Sequence, residues 1–245
     1  MERVTFKNQK RLNLMGVLYP SDLGKAVVIS HGFAANKGRE RMVRLSETLS
    51  KENFGVLRFD FGGCGESDER EITVKNQVDD LRSAINFMRE KGYNSIGLLG
   101  ESLGGLTTVL AYDENIKTLI LWAPVTKSKT PTIIKNEELG QQLDRDGFII
   151  YKKDGRNFKI PKEYLEERRN VNQKEIMSKI KCPVLIIHGS VDDVAPIGDS
   201  KEALKFLSKD SKLEIIEGAP HQYYRKKEHM DKILNLSLNW FKQHL

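Results

Sequence analysis

Five short runs in this chain are apolar almost throughout: residues 26–30 (AVVIS), 55–60 (GVLRFD), 95–99 (SIGLL), 117–123 (KTLILWA) and 183–188 (PVLIIH). They lack the strict alternation of a strand with one wet face, and each is too short for a helix. All five read as strands, and 26–30, β-branched with no polar alternation, as one buried on both sides. Helical spacing fills the intervals. Residues 40–51 place Met42, Val43, Leu45 and Leu49 on one side, residues 74–91 do the same with Val78, Leu81, Ile85 and Met88, and 103–111 reads as a third helix. Residues 4–6 and 12–18 read as an antiparallel pair ahead of this series. Residues 201–207 (helix), 212–217 (strand) and 230–244 (helix) close it. Strands that alternate with helices imply an α/β class, a mostly parallel central sheet with helices on both faces.

The alternation breaks once. From Pro124 to Lys181 there are 58 residues, too many for a structureless loop in a compact domain. The stretch carries its own hairpin signal, 148–152 and 158–160 about an Asp154-Gly155 turn, with a helix expected at 161–169. The expected organisation is a core of residues 1–123 and 182–245 with a lid subdomain, 124–181, inserted between two sheet strands.

Charge argues against a nucleic-acid partner. Forty Lys and Arg face 34 Asp and Glu, for a net +6, but the signs are interleaved. The tightest basic cluster, Arg225-Lys226-Lys227, runs straight into Glu228. No run approaches the ~18 apolar residues of a membrane span, and the first twenty residues hold no apolar block like a signal peptide's. A cytoplasmic protein without stable membrane insertion is the expectation. The two cysteines, Cys64 and Cys182, lack Cys or His neighbours at metal-ligand spacing, so no metal site is expected.

The sharpest local feature is Gly100-Glu101-Ser102-Leu103-Gly104, between an expected strand and an expected helix. A Gly-x-Ser-x-Gly turn in that context projects the serine hydroxyl above the sheet edge. The hydroxyl needs a base, and the base needs a carboxylate to orient it, in chain order serine, acid, histidine. His221 follows an expected strand and is the candidate base; His229 and His244 fall in or near the last helix, and His188 ends a strand as a packing or turn residue. His31 precedes the serine, which is the wrong order. Asp192, in the turn after residues 183–188, is favoured over Asp193 as the acid. Backbone N–H donors for a developing oxyanion are expected from Leu103 and Phe33. Trp122, Tyr151 and Tyr164 are candidate substrate contacts, with core packing for Trp122 and insert packing for the tyrosines as the alternatives. No cofactor is expected.

Ser30-His31-Gly32-Phe33, Arg58-Phe59-Asp60-Phe61, Gly63-Cys64-Gly65-Glu66-Ser67, Gly100 to Gly105 and His188-Gly189-Ser190-Val191-Asp192 together resemble the serine α/β-hydrolase superfamily, in its order and over nearly the whole chain. The likeness is to small carboxylesterases, including feruloyl (cinnamoyl) esterases with an inserted lid. It implies the α/β-hydrolase fold and hydrolysis of a small-molecule carboxylic ester, short-chain or aryl, through an acyl-enzyme. Monoacylglycerol lipase, thioesterase and acyl-peptide-type amidase activities share that intermediate and stay open. A ligand-binding homologue without turnover is the rival of a different class, and homodimerisation is left open.

Overall fold

The computed structural model describes residues 1–128 and 137–245, the side chain of Tyr224 excepted. The apolar runs form the strands they imply. β1 (Glu2–Lys7) and β2 (Asn13–Tyr19) pair antiparallel, followed by β3 (Lys25–Ser30), α1 (Glu40–Ser50), β4 (Gly55–Phe59), α2 (Val74–Glu90), β5 (Ser95–Glu101), α3 (Leu103–Ala111) and β6 (Ile116–Trp122). Among the described residues five elements then intervene: α4 (Glu137–Asp146), the hairpin β7 (Phe148–Lys153) and β8 (Arg156–Pro161), α5 (Lys162–Arg169) and α6 (Gln173–Ser178). The core resumes with β9 (Val184–Gly189), α7 (Ile197–Leu204), β10 (Lys212–Ile216) and α8 (Lys227–His244).

Eight strands make one sheet in the order β1-β2-β4-β3-β5-β6-β9-β10. β2 runs antiparallel to β4, and every pair from β4 to β10 is parallel. Alternate residues of each central strand face opposite layers. Val27, Ile29, Val56, Leu99, Ile120 and Ile187 pack with α1 and α8 through Met42, Leu45, Leu49, Ile233 and Phe241. Val28, Leu57, Leu98, Leu121 and Ile186 pack on the other face with Leu81, Ile85, Leu106 and Val109 of α2 and α3. This is the α/β-hydrolase fold. No helix among the described residues is long and apolar enough to cross a membrane.

Two helices, α4 and α6, were not expected from the sequence. α4 has no buried residue, so its burial pattern is weak. α6 has only six residues and is capped by the Asn172 side chain, which accepts from the Glu175 N–H. α7 spans Ile197–Leu204, starting directly after Pro196 and four residues ahead of the expected helix at 201–207. Of the expected insert, residues 129–136 lie outside the described residues.

The hairpin turns as its Asp-Gly pair requires. Asp154 and Gly155 both take positive φ, 51° and 74°, the twist that matches a two-residue β-hairpin. Its tip is tied to the core on two sides. Asp154 pairs with Arg39, and Arg156 donates to the Gly65 carbonyl and to Glu69 at 2.9 Å. Further along, the Ile72 N–H donates to the Lys159 carbonyl at 3.0 Å, and Lys159 pairs with Glu71 at 2.8 Å.

Candidate active site

β5 ends at Glu101 and α3 begins at Leu103, so one residue makes the whole turn between them. That residue is Ser102, at φ 53° and ψ −114°, a left-handed conformation that L-residues rarely take. The turn closes only because its neighbours lack side chains. A Cβ on Gly100 would lie 2.2 Å from the Gly104 carbonyl oxygen, and one on Gly104 would lie 2.5 Å from the Ser30 oxygen and 2.6 Å from the His31 oxygen. The Ser102 N–H is held by the Trp122 carbonyl on the neighbouring strand at 2.8 Å.

Residues from three loops meet at this serine. His221 Nε2 lies 3.2 Å from Ser102 Oγ, and His221 Nδ1 lies 2.7 Å from Asp192 Oδ2. A carboxylate can only accept, so Nδ1 carries the proton and Nε2 presents its lone pair to the serine hydroxyl. The His221 ring is 17% exposed while the Asp192 side chain is fully buried. Asp192 Oδ1 accepts the N–H groups of Val194 and Ala195, at 2.9 and 2.8 Å. Burial pushes this carboxyl up, but the hydrogen bonds from His188, His221 and the Ala195 backbone outweigh it and hold the group well below the ordinary carboxylate range. Asp193, the neighbour set aside, is exposed.

His188 was read from the sequence as a packing or turn residue, and its contacts are more particular. Its ring is buried, with Nε2 3.1 Å from Asp192 Oδ2 and 2.7 Å from the Ala195 carbonyl, and Nδ1 2.7 Å from Ser200 Oγ. It meets the same carboxylate oxygen, Oδ2, that His221 does. The only sequence signal for this is its position four residues before Asp192.

The loop after β3 lies against the serine: a Cβ on Gly32 would be 3.4 Å from Ser102 Cβ. His31 Nδ1 donates to the Gly32 carbonyl at 2.8 Å, and its Nε2 accepts the Phe61 N–H at 3.3 Å. Burial lowers the His31 pKa, which keeps the ring neutral and suits it to donate from one nitrogen and accept at the other. In a trans peptide the N–H points opposite the C=O, so tying down the Gly32 carbonyl turns the Phe33 N–H the other way. Leu103 opens α3, and its N–H is among those a helix leaves without an internal partner. The loop is fixed further along by Lys37, whose N–H and ammonium both reach buried Asp60 at 2.6 Å.

The three aromatic candidates are placed differently from one another. Trp122 is fully buried in the layer of α1 and α8, donates from Nε1 to Ser237 Oγ of α8 at 3.0 Å and sits edge-on to Tyr223. It is a core residue, turned by strand parity to the same face as Ile120. Tyr164 is buried and stacks on the Phe33 ring with centroids 5.4 Å apart. Tyr151, half-buried, meets the same ring at 5.5 Å. Both tyrosines therefore touch the loop that carries an expected oxyanion donor. Cys64 is buried, and burial with nearby Asp60 pushes its thiol up to about 12, so it offers no thiolate.

Residues 22–143 match the family model described as serine aminopeptidase, S33. The uncharacterized protein YfhR of Salmonella typhimurium is 29% identical over 223 residues, covering 87% of this chain and 72% of that protein. The mitochondrial palmitoyl-protein thioesterase ABHD10 of Rattus norvegicus is 25% identical, covering 80% of this chain and 68% of that protein. Among solved structures, Est1E from Butyrivibrio proteoclasticus with ferulic acid bound superposes with a TM-score of 0.81 at 24% identity, covering 98% of each chain.

Proposed function

The chain belongs to the α/β-hydrolase superfamily, and from that premise we propose that it is a serine hydrolase that cleaves carboxylic esters through an acyl-enzyme. The observation that carries the reading is the unbroken relay from the strained turn to a buried carboxylate: Ser102 Oγ, His221 Nε2, His221 Nδ1, Asp192 Oδ2.

In this reading Ser102 Oγ attacks the ester carbonyl and passes its proton to His221 Nε2. The carbonyl oxygen gains charge as the tetrahedral intermediate forms, and the N–H groups of Phe33 and Leu103 receive it. Each such donor is worth roughly 3–4 kcal/mol of barrier. The imidazolium, steadied by Asp192, returns the proton to the leaving alcohol. Water then repeats the sequence on the acyl-enzyme, with His221 as its base, and releases the acid. Asp192 stays ionised throughout, because its hydrogen bonds favour the charged form. No metal or organic cofactor enters any step.

For substrate, short-chain and aryl esters fit best. The insert, residues 124–181, acts as the lid, and its hairpin is docked on the loops around Phe33 and Gly65 rather than standing clear of them. A roof fixed in this way sets a compact acyl site. The ferulic acid held by Est1E, a protein of the same fold, makes hydroxycinnamate esters a reasonable part of the first assay. A thioester is the second reading, favoured by the likeness to the palmitoyl-protein thioesterase ABHD10.

The test is a matched panel of acyl p-nitrophenyl esters, methyl hydroxycinnamates and acyl-CoA thioesters of graded length, run on wild type and Ser102→Ala. The expected result is best turnover on short or aryl oxygen esters, abolished in S102A. Preference for long acyl thioesters would support the second reading, and no turnover of any member would overturn both.

A further inference from the structure

The oxyanion loop is secured at three successive places, by three different parts of the molecule. Gly32 is held by His31 from within the loop, and Lys37 by Asp60 from the loop after β4. Phe33, between them, is held from the insert. Lys153, the last residue of β7, donates from Nζ to the Phe33 carbonyl at 3.2 Å. Tyr151, two residues earlier on the same strand face, and Tyr164 of α5 bracket the Phe33 ring at 5.5 and 5.4 Å.

The geometry at Phe33 gives these contacts a consequence. Carbonyl carbon, Cβ and amide nitrogen all hang on one tetrahedral Cα, so fixing the carbonyl and the ring places the nitrogen, while the Gly32 carbonyl held by His31 sets the direction of its N–H. The next residue, Ala34, has φ 46°, a strained value for a residue with a Cβ, and something must hold the chain there. The carbonyl that Lys153 grips belongs to the peptide bond leading into that residue.

Lys153 is also an unusual residue to spend on packing. It is half-buried, and its neighbours Arg39 and Arg41 are cations already matched to Asp154 and Glu101. Among the described residues no carboxylate lies within 4.0 Å of its ammonium, and the Phe33 carbonyl is its hydrogen-bond acceptor. Burial and the two arginines lower its pKa, so the ammonium is kept at a cost that an apolar side chain on the same stem would not carry.

We propose that Lys153 is a positioning residue for the oxyanion hole: by gripping the Phe33 carbonyl while Tyr151 and Tyr164 clasp the ring, the insert aims the Phe33 N–H at the adduct on Ser102. The proposal rests on the reading of Ser102 as nucleophile and Phe33 N–H as a donor. It makes the insert part of the catalytic geometry as well as a roof over the substrate. Sequence changes in the hairpin then alter turnover as well as substrate choice.

Two substitutions test it, Lys153→Met, which keeps the stem and removes the donor, and Lys153→Arg, which restores one. The readouts are kcat and KM on a short-chain ester, Tm, and the affinity of an alkyl trifluoromethyl ketone, whose adduct with the serine carries an oxyanion. Removing a whole oxyanion donor costs about 10²–10³ in kcat, so a misaimed one in K153M is expected to cost about tenfold, with KM within about twofold. The ketone should lose affinity by the same factor as kcat, and K153R should recover most of both. Wild-type kcat and ketone affinity in K153M would overturn the proposal. So would a loss of kcat that tracks a fall in Tm and is not recovered by K153R, since that marks a packing role alone. S102A run alongside separates the two levels: turnover surviving in S102A overturns the reading of Ser102, and this proposal with it.

Discussion

Replacing Asp192 by Asn changes one atom in a buried side chain, and the structure dictates which way the new amide must face. Oδ1 accepts two backbone N–H groups, from Val194 and Ala195. An NH2 group there would oppose two backbone donors that cannot give up their protons, whereas Oδ2 faces the imidazoles of His188 and His221, which can change tautomer, so the asparagine oxygen takes the Oδ1 place and the NH2 takes the place of Oδ2. That NH2 then points at His221 Nδ1, 2.7 Å away in the wild type. The imidazole can meet a donor only by presenting a lone pair at Nδ1, which moves its proton to Nε2. Nε2 faces Ser102 Oγ and would now donate where it must accept. The expected loss is on the order of 10⁴ in kcat, the size found when a triad imidazole is held in the wrong tautomer. Replacing a buried charged acceptor also costs about 2 kcal/mol, or about 4–8 °C in Tm for a chain of this length. That leaves the protein folded at 25 °C, so unfolding cannot account for the loss of rate. The assay is kcat and KM on a short-chain p-nitrophenyl ester with Tm measured in parallel, and Asp193→Asn as the control. Asp193 is exposed next door and should matter little. A D192N enzyme within tenfold of wild type, or a D193N enzyme as impaired as D192N was expected to be, would refute the reasoning.

Four further outcomes follow from the structure. kcat/KM should show no acid step from Asp192 above about pH 4, since its pKa lies below the ordinary ~3.9; a step on the acid limb above about pH 4 that disappears in D192N would contradict this. A depressed carboxyl stabilises the fold fully above its unfolded value and loses that contribution as pH falls towards its folded value. The stability gap between wild type and D192N, followed by denaturant melts, should therefore narrow below about pH 4 and stay level above about pH 5. Trp122→Phe should lower stability by about 1–3 kcal/mol, through lost packing and the lost bond to Ser237, while leaving the order of preferred esters unchanged; a reordered preference would put Trp122 back in the acyl site. Gly104→Ala would drive a Cβ against two backbone oxygens that cannot swing aside, so about 3 kcal/mol of stability and most of the activity should go, and a variant with wild-type Tm and rate would show the turn to be looser than the distances imply.

How much of this could be read beforehand depended on whether the information was local. The turn at Ser102 is written in five consecutive residues, and the strand and helix beside it follow from their own apolar patterns. Asp192 and His221 each sit in a loop at the end of a parallel strand, so chain order and strand ends were enough to pick them out. Trp122 was ambiguous for a physical reason. A strand buried on both faces shows no polar alternation, and KTLILWA does not reveal which parity faces α8 and which faces α3. Tyr164 and Lys153 act on Phe33 from 131 and 120 residues away, and no local pattern carries that contact. His188 hid for the opposite reason, since a buried histidine at a strand end is ordinary until its neighbours are known.

In the proposed mechanism Ser102 carries the acyl group between two half-reactions, and it can be caught there. An activated ester whose acyl group is slow to hydrolyse from the serine, such as a bulky or aryl acyl p-nitrophenyl ester, would be mixed with the enzyme, quenched in acid within the first turnover and analysed by intact mass and peptide mapping. The prediction is a burst of one p-nitrophenol per chain, a mass increase of one acyl group, and that increase confined to the peptide holding Ser102, absent in S102A. Steady turnover with no acylated species, or an acyl group mapped to any other residue, would contradict the account.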